Sequence, residues 1–289
     1  VQSQYRNLAN GLRVHFLYQQ GVGPSIVMIH GLASNAKMYR GVGQRLSAHG
    51  YSLCSVDQRG HGETDKPDGS YDYDTFVQDL KEFLDLAVNE GLLTVPAVFV
   101  GQSFGCSVVE NYALRYPSDV RGLVLIDGGF RALKKDYPTW QECEAKLSPP
   151  RFDNYTISSL RQRLQENLSD FPDSAFEGIL ANFKESPEGN VSARLERSNH
   201  IKILRELWEQ DPVEIFEKIS TPFIFITALN DEIVDSATKR EEIRRLREIS
   251  DAASSAYWIA GHHDLHAQHP DYVAQIIHRE IEEGVFSTP

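Results

Sequence analysis

Short runs of β-branched and aromatic residues alternate along the chain with longer stretches in which apolar residues recur every three or four positions. The short runs predict strands over 4–8, 12–18, 26–29, 52–56, 97–100, 121–126, 223–227 and 256–259. The longer stretches predict helices over 37–49, 73–89, 104–116, 237–249 and 271–283. Asn10-Gly11 marks a tight turn between the first two strands. Strand and helix taking turns predicts an α/β fold, with a mostly parallel eight-stranded sheet covered by helices on both faces.

The rhythm stops after residue 126. From about 131 to 217 the pattern is mostly helical, broken at Ser148-Pro149-Pro150 and at Ser186-Pro187-Glu188-Gly189, with no convincing strand. That stretch reads as an insertion, so a core of 1–130 and 218–289 is expected with an inserted helical cap over 131–217. No internal repeat or low-complexity tract stands out.

Composition narrows the classes of partner. The chain has 289 residues, a formal charge of −12 and a pI near 5.3, which disfavours nucleic acid and anionic membranes, both polyanions. No apolar run approaches the ~20 residues of a membrane span. The opening VQSQYRNLAN lacks the basic and apolar regions of a secretory signal, so a cytoplasmic location is expected, although a start at Val1 leaves room for a removed leader. Cys54, Cys106 and Cys143 are too few and scattered for a disulfide framework or zinc site, and reduced thiols are expected. Cys106 falls on an apolar helix face and reads as a small buried hydrophobe. Neither metal nor cofactor is expected, and the oligomeric state is left open.

Candidate chemistry begins at Gly101-Gln102-Ser103-Phe104-Gly105, where a strand runs directly into a helix. A serine in strained geometry at such a turn needs glycine neighbours so that backbone can pass close by. In an open parallel sheet, ligands gather at the carboxyl ends of the strands. There the chain places His30-Gly31-Leu32, Asp57-Gln58-Arg59-Gly60-His61-Gly62, Ser103, Asp127-Gly128-Gly129, Asn230-Asp231 and Gly261-His262-His263-Asp264. Serine, acid and imidazole arrive in that order, each behind its own strand.

The order and the strand-turn-helix serine resemble the α/β-hydrolase superfamily over nearly the whole chain. The His-Gly dipeptide, the Asp-x-Arg-Gly-His-Gly turn and the helical insertion resemble its capped esterase and meta-cleavage-product hydrolase branch. The resemblance implies Ser103 as nucleophile, an imidazole as base and a carboxylate behind it. His263 is preferred as base because His266 and Pro270 follow at the family's spacing of three and seven, while His262 is one residue out. Asp231 stands at the family's usual acid position, and Asp127 is the alternative that a minority of relatives use. The backbone N–H groups of Leu32 and Phe104 are expected to form the oxyanion hole. His30, His61 and Arg59 are expected to hold loops together without supplying chemistry.

The expected reaction is hydrolysis of a carboxylic ester or lactone by water through an acyl-enzyme, with no cofactor. A carbon-carbon bond hydrolase, or a ligand receptor of the same fold with little turnover, is the alternative. Among aromatics near the pocket, Phe130, Trp140 and Trp208 are candidates to touch substrate, while most cap aromatics are expected to be the cap's own core. The substrate is expected to be small to medium and largely uncharged, because a charged one requires a basic pocket that the sequence does not locate.

Overall fold

The computed structural model describes residues 1–152, 155–229 and 235–287. Eight of its strands form one sheet: β1 (Gln2–Asn7), β2 (Arg13–Gln19), β3 (Ser25–Ile29), β4 (Ser52–Val56), β5 (Ala97–Gln102), β6 (Val120–Ile126), β9 (Phe223–Ala228) and β10 (Ser254–Ile259). Two short strands, β7 (Phe183–Glu185) and β8 (Val191–Ala193), pair separately. The sheet order is β1-β2-β4-β3-β5-β6-β9-β10. Within this sheet, among the described residues, only the β1/β2 and β2/β4 pairs are antiparallel. This is the α/β-hydrolase fold, with a helical insertion between β6 and its sheet neighbour β9.

The central strands are apolar on both sides, so each one feeds two cores. Val27, Ile29, Phe99, Leu123, Leu125, Phe223 and Phe225 face one way. Met28, Val98, Val100, Val124, Ile126, Ile224 and Ile226 face the other. This period of two within an unbroken apolar run is what a parallel sheet buried on both faces requires. Helices α2 (Tyr73–Asn89) and α3 (Phe104–Arg115) cover the first face, while α1 (Arg40–Ser47) and α11 (Pro270–Glu282) cover the second. The insertion carries α4 (Trp140–Leu147), α5 (Ile157–Asn167), α6 (Asp173–Leu180), α7 (Arg197–Glu209) and α8 (Pro212–Phe216). Behind β9 come α9 (Ser236–Ile249) and α10 (Leu265–Gln268).

Two local expectations change. The helix expected over 37–49 begins as a 3₁₀ turn at Ala36–Tyr39, after Asn35 accepts the Lys37 N–H, and becomes α-helical only at Arg40. The insertion also holds the β7–β8 ribbon, closed by Ser186 N–H donating to Asn190 and Gly189 N–H donating to Ser186. Three residues per strand, half of them polar, leave too little alternation to register as a strand. Among the described residues no helix is long and apolar enough to cross a membrane.

The loop after β4 is held by a buried carboxylate. Asp57 accepts the Ala36 N–H at 2.7 Å and the Glu63 N–H at 2.8 Å, and bonds His15 Nδ1 at 2.7 Å. Burial opposes its charge, but the His15 hydrogen bond and the neighbouring His30 and His15 imidazoles outweigh it and lower its pKa to about 2. Arg59 forks onto Asp79 at 2.5 and 2.9 Å, a structural ion pair. Because the folded pKa of Asp57 lies below 3.8, its contribution is complete above that value and fades as pH falls towards about 2. Asp57→Asn is expected to lower the unfolding free energy by about 3 kcal/mol at neutral pH in urea. The two proteins are expected to converge as acid is added over that window.

Candidate active site

Ser103 sits where β5 meets α3, with φ 51° and ψ −119°, a left-handed geometry costly for any residue with a Cβ. The surroundings over-determine it. Its N–H donates to Ile126 at 3.0 Å and its carbonyl accepts the Cys106 N–H at 3.0 Å. A Cβ at Gly101 would lie 2.5 Å from the Gly105 carbonyl oxygen, and one at Gly105 would lie 2.2 Å from that of Ile29. Gly128, on the next strand's exit, presses on Ser103 itself, where a Cβ would come within 2.6 Å of its Cα. These glycines serve close approach, since none of the three has a φ in the left-handed region. The Leu32 and Phe104 N–H groups have no hydrogen-bond partner among the described residues, and Leu32 lines the same cavity as Ser103.

At the end of β6, Asp127 has φ 43° and is buried. Its Oδ2 lies 2.7 Å from His263 Nδ1, while Oδ1 accepts the Ala228 N–H at 3.0 Å and Lys239 Nζ at 2.8 Å. Burial pushes the carboxyl up, but the hydrogen bond and charge of His263, together with Lys239, bring its pKa below the ordinary aspartate value. The acid expected at this histidine, Asp231, lies outside the described residues, and among those described the carboxylate on His263 is Asp127. Gln102 Nε2 donates to the His263 carbonyl at 3.3 Å, tying the histidine loop to the serine turn. His262 is placed differently: its ring stands against Phe171 at 5.7 Å, its N–H donates to Gln268, and it is not among the residues that line the cavity with Ser103.

Ser103, Asp127, Lys239 and His263 all line one cavity of about 330 Å³. Its apolar wall is mainly leucine: Leu32, Leu133, Leu147, Leu204 and Leu207, with Phe130 beside them. Trp140 and Trp208 are not among the lining residues. They meet edge-to-face at 6.0 Å around Cys143 and Leu204, and the Trp208 indole donates to the Tyr137 carbonyl at 2.7 Å, which fixes both in the insertion's own core. Phe104 likewise turns into the core against Tyr73 and Phe76. Cys106 is buried and its thiol is pushed well up by desolvation. His30 bridges loops by accepting the Gln58 N–H at Nε2 and bonding the Gly31 carbonyl through Nδ1. Among the described residues no group of three or more His, Cys, Asp or Glu is placed to hold a metal ion.

The Serine aminopeptidase, S33 family model (Hydrolase_4) matches residues 22–267. The chain belongs to that family. The chain is 33% identical over 109 residues to the 2-(acetamidomethylene)succinate hydrolase of Mesorhizobium japonicum, which is 38% of this chain and 37% of that protein. It is 35% identical over 101 residues to the monoacylglycerol lipase of Mycolicibacterium smegmatis, covering 35% of this chain and 36% of the lipase. The matched segments therefore span little more than a third of these curated relatives. In three dimensions it resembles an E-2-(acetamidomethylene)succinate hydrolase, with a TM-score of 0.79 and 21% identity over 97% of this chain and 99% of the other. At that identity the likeness concerns the fold.

Lys239 was not foreseen, because it lies in the run Thr238-Lys239-Arg240-Glu241-Glu242, which reads as a solvated helix face. The signal was its register: Lys239, Ile243 and Leu246 fall at i, i+4 and i+7 and are all buried, so the lysine occupies the helix's inner stripe. Lys239→Met would leave the Asp127 charge short of a buried cation, and a loss of about 3 kcal/mol in urea unfolding is expected. Adding Asp127→Asn is expected to restore part of that loss, since both ends of the ion pair are then removed.

Proposed function

We propose that this serine hydrolase cleaves a carboxylic ester or lactone through an acyl-enzyme on Ser103, with His263 as general base and Asp127 as the carboxylate that orients it. The observation that carries the reading is the Asp127–His263 contact inside the cavity that holds the strained serine. With Nδ1 donating to Asp127, the neutral imidazole keeps a lone pair on Nε2 for the serine proton. The Ser103 oxygen then bonds to the substrate carbonyl carbon, and the developing oxyanion is met by the N–H groups of Leu32 and Phe104. Collapse breaks the bond to the leaving alcohol, whose oxygen takes the proton back from Nε2, and water repeats the sequence to release the acid. The leucine wall suits an uncharged acyl or alkyl chain. The relative named as a monoacylglycerol lipase supports ester chemistry in this family.

Short p-nitrophenyl esters test the assignment. Ser103→Ala and His263→Ala are each expected to lower kcat by roughly 10⁴-fold or more, and His262→Ala by less than about tenfold. Asp127→Asn is expected to fall nearly as far as His263→Ala, with Asp231→Asn well behind it. Reversal of that ranking would return the acid role to Asp231. Tight ligand binding with no turnover by the wild type would favour a receptor over an enzyme.

A further inference from the structure

Core and insertion enclose a second cavity of about 420 Å³ beside the one that holds Ser103. Leu147 and His200 line both, so the two chambers adjoin. Burial pulls the His200 imidazole down to about 4, which leaves this shared wall uncharged at neutral pH.

The two chambers differ in how their charges are settled. In the first, Arg131 is paired with Asp136 and Glu242, and Lys239 with Asp127. Among the described residues the second is lined by Lys146 and Arg194 and by no Asp or Glu, in a protein whose net charge is −12. Neither cation has an ion-pair partner among the described residues, and Arg194 Nε is buried without a hydrogen-bond acceptor. The Asp57 carboxylate behind Gly62 is already engaged by His15, Ala36 and Glu63. Lys66, close by, has its pKa lowered first by burial and next by Arg194, as expected of a cation beside another cation.

Two more polar atoms at this chamber lack partners. The Ser34 hydroxyl and His61 Nε2 are both buried and unbonded, and His61 is wholly buried. His61 Nδ1 donates to the Arg59 carbonyl at 2.9 Å, so the neutral ring keeps a lone pair at Nε2. Lys146 is solvent-exposed and Arg194 half-buried, but the Arg194 Nε, Ser34 hydroxyl and His61 Nε2 atoms are buried, and a donor-rich, cationic wall with one spare acceptor suits an anion.

We propose that this chamber is a substrate subsite for a carboxylate, with Arg194 and Lys146 receiving its charge and Ser34 donating to it. His61 Nε2 accepts from an N–H or O–H elsewhere on the same ligand. The inference rests on the ester-hydrolase reading and deepens it: the substrate is an ester or lactone bearing a free carboxylate, in place of the uncharged one expected from sequence.

Matched ester pairs test it. Ethyl hydrogen glutarate against ethyl pentanoate places the charge on the acyl side, and 4-acetoxybutanoate against butyl acetate places it on the alcohol side. The wild type is expected to favour the anionic member of one pair by about tenfold or more in kcat/KM. In the Arg194→Gln/Lys146→Gln variant that ratio is expected to collapse through a raised KM. Glutarate titrated calorimetrically into Ser103→Ala is expected to bind, more weakly in salt, and to lose that binding when Arg194→Gln and Lys146→Gln are combined with it. Equal or better use of the neutral member in both pairs by the wild type overturns the subsite, with no variant needed. Turnover of neutral esters by a wild type whose Ser103→Ala form binds no glutarate overturns the subsite and leaves the hydrolase reading intact. Glutarate binding that needs Arg194, in a protein that turns over no ester, supports the subsite and removes the hydrolase reading.

Discussion

The Asp127 carboxylate is the point on which the candidate site is assembled. One buried group at the end of β6 receives the Ala228 N–H from β9, the ammonium of Lys239 from α9 and the imidazole of His263 from the loop after β10. Three segments far apart in sequence are thereby fixed to the strand beside β5, whose end carries Ser103. Its charge persists inside the protein because each oxygen is met by a donor, and the pKa stays below the ordinary value despite burial. Removing any donor would leave a buried charge undercompensated, so the arrangement is cooperative in a way that separate surface contacts are not.

The serine turn depends on a different constraint, the volume of side chains that are missing. Ser103 holds a strained backbone because Gly101, Gly105 and Gly128 let three stretches of backbone approach more closely than a Cβ permits. The turn's rigidity and the carboxylate's charge meet at Gln102, whose side chain reaches the His263 carbonyl. Packing thus supplies the geometry of the nucleophile, and electrostatics supplies that of the imidazole.

Most of the sheet was legible because its strands are buried on both faces and bounded by turn residues, a pattern that survives without tertiary information. Strands 52–56 and helix 73–89 fall on the expected residues, and the serine turn lies where its glycines placed it. Lys239 was hidden because charge and burial give opposite readings of the same helix, and only the register of Ile243 and Leu246 resolves them. Trp140 and Trp208 attracted attention as large aromatics, yet their mutual packing satisfies them, and the cavity is walled by leucines too common to single out.

The unforeseen ribbon and the unforeseen basic chamber are one omission. Arg194 directly follows β8, and its N–H donates to the Asn182 carbonyl just before β7, so pairing of the two short strands is what brings this guanidinium back over the His61 loop. With residues 186–189 read only as a break between helical stretches, nothing in the sequence returns Arg194 to the His61 loop, and a basic pocket could not be located. The consequence reaches specificity. A protein of charge −12 repels anions at long range, but that field is screened beyond about 8 Å at physiological salt, whereas cations in a partly enclosed chamber act at contact and against a lower dielectric. Selection of an anionic ligand is therefore decided at contact within this chamber, by the fold of the insertion, and net charge is a poor guide to it.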